Sequence, residues 1–398
     1  YFSTFTRHLL LLLLNINIIF ISKLTRKGLF TTMKFTCNKS DMTEAVNIVL
    51  KAVPGKTTMP ILECVVIEAA GDQIKLTTND MQLGIETRFP AQIEEDGIIL
   101  VNAKMISDII RKLPENDVYF EADDNENILL FCGKAKFNLS GKNHEEFPML
   151  PNIEKSYKIT VSQFTLKEMI RQTIFSISNN ESNKILTGEL FEINGDEFKI
   201  ASLDLHRVSI RKIQLKESYD DMKAVIPGKT LSEVSKILTG GMDDNVDIYF
   251  TKNHVLFELE NTIIISRLIE GNFYNINQML TNDYETKVTV NKRDLLECID
   301  RATLLLREAE NKPVIMNVKN SEIKMEMTTK IGSMDENITI EKEGKDLRIA
   351  FDPKFLIDVL RVIDEEEVNL YLFNAKAPCF IRDDNSYIYL ILPVNLIE

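Results

Sequence analysis

Tryptophan is absent from this 398-residue sequence, and histidine (four) and cysteine (five) are scarce. Cys37, Cys64, Cys132, Cys298 and Cys379 are scattered with no Cys-x-x-Cys pair. That excludes the usual zinc and dithiol spacings and a disulfide framework, and the five read as small core residues in a reducing compartment. His8, His144, His206 and His254 form no metal-type spacing, and no Ser-His-Asp signature accompanies them. His206 is the one tempting catalytic residue, and no nucleophile motif attends it. Positive charge is in deficit: 47 Lys and Arg stand against 60 Asp and Glu, a net charge of −13. This excludes a uniformly basic nucleic-acid-binding domain, though not a protein that keeps its basic residues on one face. Long apolar runs are missing too. The run 9–21 is broken by Asn15 and Asn17 and falls short of the roughly 20 residues of a spanning helix.

Residues 1–32 differ in kind from the rest of the chain. They contain no acid, and Arg7, Lys23, Arg26 and Lys27 make them +4, which leaves −17 for the rest of the −13 total. No Met begins the chain, while Met33 opens the first copy of a repeat. The preferred reading is translated upstream sequence outside the fold, with a signal or transit peptide as the alternative. With 44% hydrophobic and 27% charged residues, the remainder is an ordinary globular composition of two or three domains.

Two Pro-Gly-Lys-Thr tetrapeptides, at 54–57 and 227–230, look like the tail of a phosphate-binding P-loop. That loop needs a glycine five positions before the Gly of Gly-Lys-Thr, so that backbone N–H groups can wrap the phosphates. Leu50 and Lys223 occupy those positions. Neither copy is expected between a buried strand and a helix, so each reads as a turn with a solvated lysine.

What is present is a repeat. "MKFTCNKSDMTEAVNIVLKAV" from Met33, "YKITVSQFTLKEMIRQTIFSI" from Tyr157 and "TKVTVNKRDLLECIDRATLLL" from Thr286 align without a gap. Each starts as an alternating strand and continues as an amphipathic helix. The expected buried stripes are Met42, Ala45, Val46, Val49, Leu50 and Val53; Leu166, Met169, Ile170, Ile174 and Ile177; and Leu295, Cys298, Ile299, Ala302 and Leu306. A second block also recurs: "ILVNAKMISDIIRKL" (99–113), "AVIPGKTLSEVSKIL" (224–238) and "IAFDPKFLIDVLRVI" (349–363). Its stripes are Ile106, Ile109 and Leu113; Leu231, Val234 and Leu238; and Leu356, Val359 and Ile363. Asn102 and Asp352 stand at N-cap positions, and Pro353 suits a first helical turn. A period of about 125 residues is too long for a solenoid unit. The sequence therefore predicts three α+β domains, each with two helices packed on antiparallel sheet, at 33–155, 156–283 and 284–398.

Several motifs sit on this repeat in order: "TTMPILECVVIEA" (57–69), "TTNDMQLGIE" (77–86), "KFNLSGKNHEEFPMLP" (136–151), "ILTGELFEI" (185–193), "SLDLHRVSI" (202–210) and "YLILPVNL" (389–396). Together they resemble the bacterial replicative sliding clamps, the beta subunits of DNA polymerase III, over residues 33–398. The resemblance implies a non-catalytic, cytoplasmic protein without cofactor or metal. It implies a head-to-tail homodimeric ring around duplex DNA, held by linkage and not by sequence. It also implies that the ring tethers the polymerase III alpha subunit, the clamp loader and other proteins carrying a clamp-binding motif. Helix faces opposite the buried stripes, and the helix ends, carry Lys51, Lys104, Arg111, Lys112, Lys167, Arg171, Lys229, Lys236, Arg301, Lys354 and Arg361, which fits a basic lining. By resemblance the DNA-facing residues are Lys56, Lys104, Arg111, Arg171, Asn180, Lys229, Lys236, Arg301 and Lys354.

The resemblance further places a partner-peptide pocket at Leu186, Leu203, His206, Arg207, Val208, Tyr274, Gln278, Met279, Leu390, Ile391, Leu392, Pro393 and Val394. Core packing is the competing reading for Leu390. The chain departs from the family at Leu205 (Gly), Tyr274 (Pro), Gln278 (basic) and Asn395 (Arg), which implies an altered peptide preference, less favourable to acidic positions. The dimer seam would join Phe137 and Leu139 to Leu304 and Leu305 of a second copy. Readings of another class are a P-loop-like NTPase and a structural protein attached to a membrane through residues 1–32.

Overall fold

The computed structural model describes residues 32–307, 312–383 and 386–396. The leader expected at 1–32 lies outside these apart from Thr32, as do Ile397 and Glu398. No helix among the described residues is long and apolar enough to cross a membrane.

The chain forms two compact units. One runs to Asn152 and includes Glu260–Ile264; the other comprises Ile153–Leu259 and the chain from Ile265 onward. The first unit holds helices α1 (Lys39–Val49) and α2 (Ala103–Lys112), which pack against each other. Its five-stranded sheet has the order Gln92–Glu95, Met33–Cys37, Val118–Ala122, Asn127–Cys132, Ala135–Ser140. A further antiparallel ladder joins Leu83–Pro90, Gln73–Asn79, Cys64–Ala70 and Gly97–Asn102.

The second unit holds two copies of the repeat. Its helices are α3 (Gln163–Thr173) and α4 (Gly228–Ile237), then α5 (Lys292–Thr303) and α6 (Pro353–Leu360), again packed in pairs. A ten-stranded sheet runs through both copies. They meet where Arg207–Pro227 pairs antiparallel with Tyr387–Ile391, in the register Val208 to Leu390 and Ile210 to Ile388.

The repeat is visible in pairing as well as in sequence. The opening strand of each copy pairs antiparallel with the strand that follows the second helix: Phe35 with Phe120, Ile159 with Ile248, Val288 with Leu370. The first residue of each copy's first helix fastens the chain leaving the second helix. Lys39 bonds Glu115, Gln163 Oε1 accepts from the Gly240 amide at 3.0 Å, and Lys292 Nζ donates to the Ile363 carbonyl at 2.8 Å. Among the described residues, side-chain caps start five of these six helices: Asn38, Asn102, Ser162, Asn291 and Asp352 each accept from a first-turn amide. A cap of this kind contributes about 1 kcal/mol.

Most of the expected stripe residues are buried, and the departures cluster at helix ends. After Val49 the chain tightens into the 3₁₀ turn Leu50–Ala52, which turns Ala52 inward and leaves Leu50 and Val53 half-buried. After Thr173 the turn Ile174–Ser176 does the same: Thr173 and Ser176 are buried, Ile174 and Ile177 half-buried. Three residues per turn cannot hold a 3.6-residue stripe in phase. Ile109 and Leu306 are likewise half-buried, with Ile110 taking the inward place on α2.

One expectation is overturned. The second Pro-Gly-Lys-Thr does lie at a strand–helix junction: Pro227 ends a strand and Gly228 begins α4. The junction has no intervening loop to wrap a phosphate. A Cβ at Gly228 would meet Ile177 Cδ1 at 2.3 Å and the Thr187 carbonyl at 3.0 Å, so this glycine serves close packing.

Candidate functional site

The seam between the two repeats of the second unit gathers most of the expected pocket residues. Leu186, Leu203, Val208 and Leu390 are buried in one apolar cluster with Leu190, Val225, Ile276 and Phe380. Pleat alternation decides the neighbouring positions. Leu390 faces this cluster, whereas Ile391 points to the opposite face and is wholly buried in the core of the third repeat. Ile391 is thus packing and lines no surface. Leu392 re-emerges, with its amide donating to the His206 carbonyl at 2.8 Å, and Val394 donates to the Ala350 carbonyl at 2.8 Å. The tail is thereby fastened along the edge of the site, with Pro393 half-buried between them.

The rim is apolar and open. Leu205, Tyr274, Met279, Leu392 and Val394 are all exposed, Leu205 at 73%. The turn Ile276–Met279 presents Gln278 and Met279 to solvent and buries Ile276 beneath them. Tyr274 is held by Asn183, whose Nδ2 donates to the Tyr274 hydroxyl at 2.9 Å. An adaptable thioether and aliphatic walls suit an apolar anchor, and the exposed polar groups can orient it.

Arg207 occupies a different place from the one its sequence position implies. Its guanidinium is buried. Nε donates to Asp204 Oδ2 at 3.0 Å, Nη1 to Asp358 Oδ2 at 2.7 Å, and Nη2 to the Phe175 carbonyl. It also stacks over the Phe355 ring at 4.3 Å, and the exposed His206 ring lies on the same phenylalanine at 5.9 Å. Arg207 therefore supports the floor of the site, and all of its charge is engaged. Asp204, Phe355 and Asp358 escaped the sequence reading. Their traces there are an aromatic and an acid three apart on α6, and Asp204 within the motif at 202–210.

Other contacts tie the same two repeats. Arg171 donates to both carboxylate oxygens of Asp364 at 3.1 Å, Gln172 Nε2 to the Val362 carbonyl at 3.3 Å, and the Phe175 and Tyr389 rings are 5.8 Å apart.

The expected DNA-facing residues divide into two groups. Lys56, Lys104, Arg111, Asn180, Lys229, Lys236 and Lys354 are exposed. Lys104, Lys229 and Lys354 take the same place, the opening of the second helix in each repeat. Lys236 pairs with Glu233 at 2.7 Å. Arg171 and Arg301 are committed further: Arg171 to Glu168 and Asp364, Arg301 to Glu336 and Glu297. At the expected seam, Phe137 and Leu139 are half-buried on the outermost strand of their sheet. Leu304 is 78% exposed, while Leu305 packs partly on its own core.

No group of His, Cys, Asp and Glu among the described residues could hold a metal ion. The five cysteines are all buried free thiols, and burial pushes Cys37, Cys298 and Cys379 up to about 12, where a thiol is a poor nucleophile.

Comparison with known proteins gives three consecutive family matches. They are the DNA polymerase III beta subunit N-terminal domain over residues 33–151, its central domain over 160–275 and its C-terminal domain over 277–395. A "Beta sliding clamp" of Bacillus subtilis is 37% identical over 381 residues, covering 91% of this chain and 100% of the relative. A crystal structure of a putative DNA polymerase III beta subunit from Eubacterium rectale superposes with a TM-score of 0.89 at 56% identity, over 92% of this chain and 99% of that one. The DNA polymerase sliding clamp structure from Bacillus subtilis gives 0.88 at 36% identity, over 92% and 100%.

Proposed function

The chain belongs to the DNA polymerase III beta subunit family, and from this we propose that it is a sliding clamp. Two copies close head to tail around duplex DNA and tether the replicative polymerase for processive synthesis. The observation that carries this reading is the threefold recurrence of one exposed lysine. Lys104, Lys229 and Lys354 each open the second helix of a repeat, beside a stripe buried in that repeat's own core. A ring that repeats such a face needs little contact energy, because linkage and not affinity retains the DNA. The benefit to the polymerase is effective concentration at the primer end. Phosphate contacts are assigned to the exposed lysines at the openings of these helices, and salt weakens such contacts.

Closure would join the first repeat of one copy to the third of the other. The strand Ala135–Ser140 supports this, because it ends its sheet and offers an unpaired edge with Phe137 and Leu139 half-exposed. The polymerase alpha subunit, the clamp loader and other motif-bearing proteins would dock a short peptide at the seam between the second and third repeats. The unpaired, buried thiols fit a cytoplasmic protein, and no chemistry of its own is assigned to it.

Primer extension on a long single-stranded template tests the proposal. With polymerase III core and clamp loader, adding this protein should lengthen the products of a single binding event. The combined substitution of Lys104, Lys229 and Lys354 by Glu should shorten them again. Product lengths indifferent to the protein would overturn the reading.

A further inference from the structure

Beside the docking seam lies a second cavity, of about 960 Å³, that extends beyond the expected pocket residues. It is bounded by the paired strands at Leu190 and Val225, by the chain from Phe273 to Asn277, and by Lys252 and Asn253 at a hairpin tip. Its floor is continuous with the docking site. Leu190, Val225 and Ile276 belong to the same buried cluster as Leu186, Leu203, Val208 and Leu390. Tyr274 is common to both places: it is one of the expected peptide-contacting residues and it lines this cavity.

The cavity is built around charge. Glu192 and Lys199 form an ion pair in which each side chain is only 7% exposed. Lys223, largely exposed, reaches the other Glu192 oxygen at 2.6 Å. One carboxylate is thus shared by two ammonium groups. Lys252 adds a further positive charge, against the single exposed acid Glu270. Asn253, Asn272, Asn275 and Asn277 also line it, and amide side chains can donate to and accept from an extended backbone.

We propose that this cavity receives the residues flanking a partner's docking peptide, and that it selects an acidic side chain there through Lys223 and Lys252. The inference rests on the reading of the adjoining seam as a peptide-docking site. It assigns a new feature, a specificity pocket outside the motif itself. Continuity decides for a peptide over a nucleic acid: a chain seated against Tyr274 enters the cavity without leaving the surface. The neutral Gln278 on the docking rim then fits the same picture, because the positive charge stands in the adjoining cavity and not on the turn that grips the motif.

The test uses the full-length protein and fluorescence anisotropy. Three synthetic peptides share one core, a glutamine lead with a leucine–phenylalanine anchor, and carry neutral flanks, an acidic N-terminal flank or an acidic C-terminal flank. One acidic peptide should bind about three- to tenfold more tightly than the neutral one in low salt, as expected for exposed charge pairs. That gain should vanish at high salt and in Lys223→Ser/Lys252→Ser, whose melting temperature verifies folding, while the neutral peptide binds both proteins alike. Equal binding of all three peptides, or a gain that survives the double substitution, would overturn the proposal and leave the docking site standing. If no peptide binds, the docking site itself fails. If a single-stranded oligonucleotide abolishes the gain while the neutral peptide stays bound, the cavity is a phosphate site and the proposal is likewise overturned.

Discussion

Arg207 Nη1 lies 2.7 Å from Asp358 Oδ2, and this partly buried contact pins a strand of the second repeat to helix α6 of the third. With Asp204 on the other edge of the guanidinium and Phe355 beneath it, the pair fixes the floor of the proposed docking seam. Removing the arginine would leave two carboxylates without their cation in a largely dry place. Arg207→Ala should therefore cost about 3–5 kcal/mol, read as a shifted midpoint in chemical denaturation. A loss below about 1 kcal/mol, the range of exposed pairs, would show that the contact is not maintained in solution.

Glu189 is a second buried group with a measurable signature. It is wholly buried, and burial pushes its pKa up to about 8 against a smaller opposing contact from the Thr173 hydroxyl. The folded protein therefore binds a proton that the unfolded chain has released between about pH 4.5 and pH 8. Linkage then makes this residue's contribution fall as pH rises through that window, with the whole penalty present above about pH 8. Glu189→Gln should stabilise the protein more at about pH 8 than at about pH 5, by about 1–3 kcal/mol, read from paired thermal melts. An equal effect at both pH values would contradict the assignment.

Leu304 and Leu305 differ in a way that guides the choice of a seam mutant. Leu305 packs partly on its own core, so charging it also perturbs the fold; Leu304 is almost fully exposed. Leu304→Asp should convert a dimer to a monomer on light scattering with little change in melting temperature. A variant that remains dimeric at micromolar concentration would remove Leu304 from the seam.

Gln278 stands exposed on the turn Ile276–Met279, beside Met279 on the rim of the proposed docking site. Gln278→Arg should tighten binding of peptides with an acid inside the motif by about two- to fivefold at low salt. Titration at two ionic strengths checks this, and an unchanged affinity at both would show that position 278 does not face the peptide.

The three copies, their helix pairs and most of the buried stripes were legible because a 3.6-residue period survives wherever a helix is regular. The period lost its meaning at Leu50, Val53, Ile174 and Ile177, where 3₁₀ turns take over. The apolar cluster at the seam was legible in the sequence, since Leu186, Leu203, Val208 and Leu390 do converge. Ile391 and Arg207 were misplaced for separate reasons. One lies on the other face of a strand, and the other has its charge consumed by Asp204 and Asp358, which are remote from each other in sequence. The lysine-lined cavity draws on four separated segments, so no local pattern announces it.

Retention of DNA by encirclement, and not by affinity, is tested most directly by topology. The protein is loaded by its clamp loader onto a nicked circular plasmid and passed through gel filtration in about 0.5 M salt, where phosphate contacts alone do not persist. It should co-elute with the circle, and it should leave the DNA when a restriction enzyme linearises the plasmid before the column. Equal retention on circular and linear DNA, or no retention on the circle after loading, would contradict the account.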